Sequence, residues 1–146
     1  MKTLTILFLS LFLGKGCTKE QKSDLASAVV QYEANTRGFY KKITITNQTI
    51  AITKDRDAKD NGEISKISDA DWKTLIVLFK AMKLENLPKL KDPTQKRFYD
   101  GAAIAKLQVK YQKKEYQTTE FDHGFPPAEI EKMVLKINAL AEAKSK

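Results

Sequence analysis

Four isoleucines constrain this chain most. Ile43 and Ile45 in FYKKITIT, and Ile50 and Ile52 in TIAITK, alternate on either side of the dipeptide Asn47-Gln48. Successive side chains of a strand point to opposite faces, so all four share one buried face only if the chain doubles back at Asn47-Gln48. The segment therefore reads as a β-hairpin with one buried face, and Asn47-Gln48 is its tight-turn candidate. The same logic recurs downstream. Leu107, Val109 and Tyr111 alternate with Lys106, Gln108 and Lys110, Lys113-Lys114 marks a turn, and 116–121 returns as the pairing strand. Upstream, Val30, Tyr32 and Ala34 predict a first strand that ends in the turn 35–38.

Two helices follow the hairpins. Ser68 with Asp71 three residues on reads as an N-cap much like a capping box. Trp72, Leu75, Ile76, Phe79 and Met82 then recur at helical spacing, and Pro88 is expected to stop this helix by Leu87. Pro126-Pro127 precedes a second stripe of Ile130, Met133, Val134, Ile137 and Leu140, with Glu129 and Glu131 near its positive end. Trp72, Met82 and Met133 read as packing residues. Residues 54–66 are expected to be a charged loop turning at Asn61-Gly62, and 88–101 a connecting loop turning at Asp100-Gly101. The predicted class is α+β, in the order β-β-β-α-β-β-α. Hairpins force antiparallel pairing, so the expected architecture is an antiparallel sheet of about five strands with both helices on one face. One domain over 29–142 suits the length, with 143–146 as a frayed tail.

The first residues carry a different signal. Lys2 precedes a run, Thr3 to Gly14, that is apolar all round. As a helix this run would reach about 18 Å, short of the roughly 30 Å of a bilayer core. Its length and its small-residue exit, Gly14-Lys15-Gly16, fit a secretory signal peptide over 1–16. Cys17, the chain's only cysteine, stands at the exit. An unpaired thiol in an oxidising compartment is a liability that acylation would remove. Gly16-Cys17 resembles the end of a bacterial lipobox, although Gly14 stands where Leu is usual and Lys15 intervenes. The polar residues Thr18 to Lys22 resemble in part the lysine-and-acid leash of Bacteroidetes lipoproteins, and the strand-helix order is similar to that of small lipoproteins of that group. The resemblance implies lipid attachment at Cys17, palmitate among the acyl chains, a tether over 17–28, and an outer-membrane address in the cell envelope. It carries no catalytic motif.

Charge bears on partners. The formal net charge is +8, and loss of 1–16 with Lys2 and Lys15 would leave +6. Arginine occurs only at 37, 56 and 97. Nucleic-acid binders lean on arginine for bidentate contacts, so a lysine-coated exported chain is not expected to bind nucleic acid.

Chemistry is sparse. His123 is the single histidine, and G-x-S-x-G, H-E-x-x-H and a glycine-rich phosphate loop do not occur. Glu120, Asp122 and His123 are the nearest approach to a metal-dependent hydrolase. In an extended segment, however, His123 faces away from both carboxylates, and the trio reads as a strand end. A second grouping is aromatic. Arg37 precedes Phe39-Tyr40, and Arg97 precedes Phe98-Tyr99, each beside a hairpin. Arginine and tyrosine anchor interfaces, so Arg37, Tyr40, Arg97, Tyr99 and His123 form the candidate recognition patch, with Phe39 and Phe98 expected in the core. The expectation is a non-enzymatic module with no cofactor or metal, held at a membrane by its lipid and binding an unknown protein or glycan. The alternative is an inhibitor of an envelope-directed hydrolase, acting through a loop at Lys91–Gly101 or Asp122–Pro127.

Overall fold

The isoleucines pair as their spacing requires. In a computed structural model describing residues 24–59 and 62–146, β2 (Phe39–Thr46) and β3 (Thr49–Thr53) run antiparallel, with Ile43 opposite Ile52 and Ile45 opposite Ile50. Asn47 and Gln48 turn with φ of 43° and 64°. A pair of positive φ angles is the geometry whose twist matches two flanking strands. On the other side of β2 lies β1 (Val29–Thr36), which also pairs with β5 (Ile104–Tyr111). Tyr32 therefore sits between Ile43 and Leu107, and all three are fully buried. Each such side chain gains about 1.5–3 kcal/mol on leaving water, so this row is the centre of the core.

The helices cover that same face. In α1 (Asp69–Ala81) Leu75 and Phe79 turn inward; in α2 (Glu131–Lys144) Met133, Val134 and Ile137 do so. All join one cluster with Val30, Ile45 and Val109, and Phe79 meets the Tyr111 ring edge-on at 5.8 Å. Trp72 packs against this cluster, and Met82 and Met133 lie within it. Ser68 caps α1 as its sequence predicts. Its hydroxyl accepts the Asp71 amide at 3.2 Å and donates to the Asp71 carboxylate at 2.8 Å. Asp71 also meets Lys136 of α2 at 2.6 Å, linking the two helices.

The sheet is larger than five strands. Its order is β4-β3-β2-β1-β5-β6, with β4 (Glu63–Lys66), β6 (Lys114–Gln117) and a seventh strand, β7 (Phe121–Asp122), that shares the β5 edge with β6. β4 lies in the segment expected to be a charged loop. Its one large apolar residue, Ile64, is 65% exposed, so no apolar alternation marked it. The strand expected over 116–121 is split because Thr118 intervenes. Its side-chain oxygen accepts the Leu107 amide at 3.1 Å while its own amide donates to the Leu107 carbonyl at 3.0 Å. The preceding turn falls at Gln112-Lys113, one residue early, with φ of 51° and 62°.

Three boundaries also move. α1 ends at Ala81 rather than near Leu87; Met82 is extended, and a 3-10 helix, Leu84–Lys89, carries Pro88. The break turns Leu87 and Leu90 onto the core, which a straight continuation would not do. A short 3-10 helix, Asp24–Ser27, buries Leu25, and Ala28 is buried beside it. The fold thus begins inside the segment expected to be tether. At the other end α2 continues through Lys144, two residues into the expected frayed tail.

Candidate functional site

The chain enters the sheet at the start of β1, beside Asp24–Ser27. Seven residues later the eight-residue β1 ends at Thr36, a distance of about 23 Å at roughly 3.3 Å per residue. At this far end the register sets Thr36 opposite Phe39, Asn35 opposite Ile104, and Ile104 opposite Asp122. The turn of the first hairpin, the start of β5 and the whole of β7 therefore converge there.

Asp122 organises this end. It is 0% exposed, and its carboxylate accepts four hydrogen bonds from one segment. The Thr94 hydroxyl donates at 2.6 Å, the Lys96 amide at 2.6 Å, the Arg97 amide at 3.0 Å and the Arg97 guanidinium at 3.1 Å. Arg97 also reaches Asp92 at 2.7 Å and the Thr94 carbonyl at 3.3 Å. Burial alone would raise the Asp122 pKa. The bonds from Thr94, from the Arg97 and Lys96 amides and from the Arg97 guanidinium outweigh it and hold the group at about 2. One buried carboxylate thus ties down the loop between Leu90 and Gly101, which would otherwise be a long irregular connection.

His123 turns the other way. Its Nδ1 shares a hydrogen bond of 2.7 Å with the Tyr32 hydroxyl, and its ring lies 5.7 Å from that of Phe39. Burial, and then the charge of Lys41, push its pKa down against the opposing pull of Glu142. Burial likewise raises the Tyr32 phenol, which the influence of Asn138 offsets only in part. Glu120 stands exposed. The trio Glu120, Asp122 and His123 does not converge, since Asp122 is committed to the loop and His123 to Tyr32. Among the described residues no three His, Cys, Asp or Glu side chains gather as metal ligands.

The candidate recognition patch is also divided. Arg37 is exposed in the first turn. Tyr40 is half-buried on the face away from the helices, where the Arg56 guanidinium lies 5.7 Å from its ring and also donates to the Thr36 carbonyl at 2.8 Å. Arg97 is a brace rather than a free anchor, its side chain only 8% exposed. Tyr99, by contrast, is 78% exposed. Cys17 lies outside the described residues.

The exposed set is different from the expected one. Phe98 is 72% exposed, Phe125 42% and Phe39 39%, so neither Phe39 nor Phe98 is a core residue. Arg97 lies 4.4 Å from the Phe98 ring, and the Lys96 ammonium sits 4.2 Å from that of Phe125. Phe39, Phe98, Tyr99 and Phe125 therefore gather around Asp122 and His123 at one end of the sheet. The signal for Phe98, Tyr99 and Phe125 was local, since each falls in a turn or loop segment where polar neighbours leave no periodic face to bury, whereas Phe39 opens β2 at the end of the sheet. In comparisons with known proteins, the chain matches no family model, no curated sequence and no solved structure.

Proposed function

We propose that the protein is a non-enzymatic outer-membrane lipoprotein, acylated at Cys17, whose braced loop docks a partner protein. The observation that carries this reading is the Asp122 brace. It fixes the loop while Phe98 and Tyr99 stand 72% and 78% exposed on it. Exposed aromatics on a pre-ordered loop lose little freedom when they bind, and aromatic residues dominate interface energies. Cations already lie against Phe98 and Phe125, which leaves less ring face for stacking on a sugar and favours a protein partner. The chain enters at the opposite end of β1, which would direct the loop away from a tether at Cys17.

Cross-linking in native cells with wild type and with a Phe98→Ala/Tyr99→Ala variant tests the docking. The double variant should lose the captured protein while melting at the wild-type temperature. Equal capture by both, or capture of glycan alone, would remove this role. Acyl labelling of wild type against Cys17→Ser tests the anchor independently, and equal labelling would exclude Cys17.

A second reading draws on the same brace. A braced loop with exposed aromatics also suits an inhibitor of an envelope-directed hydrolase, with Lys91–Gly101 entering the cleft of the enzyme. Inhibition of lysozymes or proteases at micromolar protein, abolished in the double variant, would favour it over simple docking.

A further inference from the structure

Beside the aromatic end, on the helix-covered side, a cleft of about 400 Å³ opens between β2–β3 and the last turn of α2. Phe39, Ile52 and Ala141 floor it, and Lys41, Lys54 and Glu142 rim it. Lys146 reaches the same rim. Its volume falls within the roughly 300–1,000 Å³ usual for small-molecule sites.

The charges around this cleft are unbalanced. Lys41 lies opposite Ala34 on the helix-facing side of the sheet and is half-buried. Among the described residues, no ion pair within 4.0 Å holds Lys41 or Lys54; such pairs engage only Arg97 and Lys136. Burial pushes the Lys41 ammonium down, Glu142 opposes this, and Lys54 pushes it down further. Lys41 and Lys54 thus line one cleft in which Glu142 is the only acidic side chain among the lining residues. His123, which touches Phe39, feels Lys41 and Glu142 as well. The carbonyls at the end of α2 favour cations and offset part of the repulsion. They do not pair the ammonium groups, and an uncompensated half-buried charge is costly.

We propose that this cleft binds an organic anion, with its carboxylate or phosphate head between Lys41 and Lys54 and its apolar body on Phe39, Ile52 and Ala141. The head would supply the missing counter-charge, and the floor would favour an aryl or acyl group over a bare inorganic ion. The site does not depend on the loop reading, because neither Phe98 nor Tyr99 lines it.

Phenyl phosphate is a suitable probe of the full-length protein, with benzyl alcohol and inorganic phosphate as controls. Phenyl phosphate should shift the amide resonances of Lys41, Ile52 and Glu142 saturably. Benzyl alcohol should not, inorganic phosphate should bind at least about tenfold more weakly, and Lys41→Gln/Lys54→Gln should weaken the probe by about tenfold or more. No saturable shift, or equal binding by the double variant at unchanged melting temperature, would overturn the site. Equal affinity for inorganic phosphate would overturn the organic class of ligand. A soluble anion and a lipid headgroup share this chemistry. Shifts with phosphatidylglycerol vesicles but none with phenyl phosphate would overturn a small-anion site in favour of surface attraction.

Discussion

Asp122 grips Arg97 at two points, accepting its backbone amide at 3.0 Å and its guanidinium at 3.1 Å. The carboxylate therefore fixes both where the loop runs and where its arginine points. Asp122→Asn keeps the shape but removes the charge facing a buried guanidinium. Breaking one partner of a buried pair costs about 3–5 kcal/mol, and retention of Asp92 as a second partner places the expectation near the lower figure. Urea unfolding at neutral pH measures it; a loss below 1 kcal/mol would mean that the loop is held by something else.

The same carboxylate predicts acid lability. Its pKa in the fold, about 2, lies below the ordinary 3.8, so the unfolded chain binds more protons across that interval. The contribution is complete above about pH 4 and is lost as pH falls through about 2. Unfolding free energies of wild type should decline over that window more steeply than those of Asp122→Asn. Parallel curves would show that Asp122 is not the group responsible.

Phe98 and Tyr99 should behave in the opposite way. Both are mostly exposed and neither belongs to the core. Replacing Tyr99 with alanine should change stability by no more than about 0.5 kcal/mol, the range for surface positions, and replacing Phe98 by no more than about 1 kcal/mol, since its ring also faces Arg97. Thermal melts of the single variants check this. A larger loss would show that the rings pack in solution and are not free for a partner.

The contrast between Arg97 and its neighbours shows what was legible in the sequence and what was not. The hairpins could be read because period-two isoleucines and valines state their own pairing, and α1 because Ser68 and the Trp72-to-Met82 stripe are local signals. β4 could not, because an edge strand with Glu63 and Lys66 at its ends needs only ladder bonds from β3. The brace was hidden for a different reason. Arg97 and Asp122 stand 25 residues apart, and no local rule pairs a loop arginine with an acid in a two-residue strand. Arg-Phe-Tyr looked like one recognition unit, yet its arginine is inside while its aromatics are outside. Tyr32 and His123 are further apart still, separated by 91 residues.

That second pairing gives a titration. Burial and Lys41 lower the His123 pKa from its ordinary 6.5. A group depressed in the fold favours folding when neutral, so its contribution is complete above the unfolded pKa and is lost as pH falls through the folded one. His123 is the only histidine, so its imidazole proton resonance is unambiguous. It should titrate below pH 6.5, and Tyr32→Phe should cost about 0.5–1.5 kcal/mol for the lost hydrogen bond. A midpoint at or above the ordinary value would mean that the ring is open to water.

The two hairpin turns make a matched test of backbone strain. Gln112-Lys113 and Asn47-Gln48 both adopt positive φ, with Lys113 at 62° and Gln48 at 64°. Glycine takes this conformation without the Cβ clash that costs other residues about 1–2 kcal/mol, although it loses more entropy on folding. Lys113 is exposed and, among the described residues, its side chain makes no hydrogen bond or ion pair, so Lys113→Gly should stabilise the protein, by up to about 1 kcal/mol. Gln48 differs because its side-chain amide donates to the Ile67 carbonyl at 3.0 Å and to Asp69 at 2.7 Å. Those bonds hold the start of α1 against the turn and are worth about 0.5–1.5 kcal/mol each. Gln48→Gly should therefore be neutral or destabilising despite the same relief of strain. Paired denaturation curves decide it. A gain at Gln48 equal to that at Lys113 would show that the turn does not help to anchor the helix.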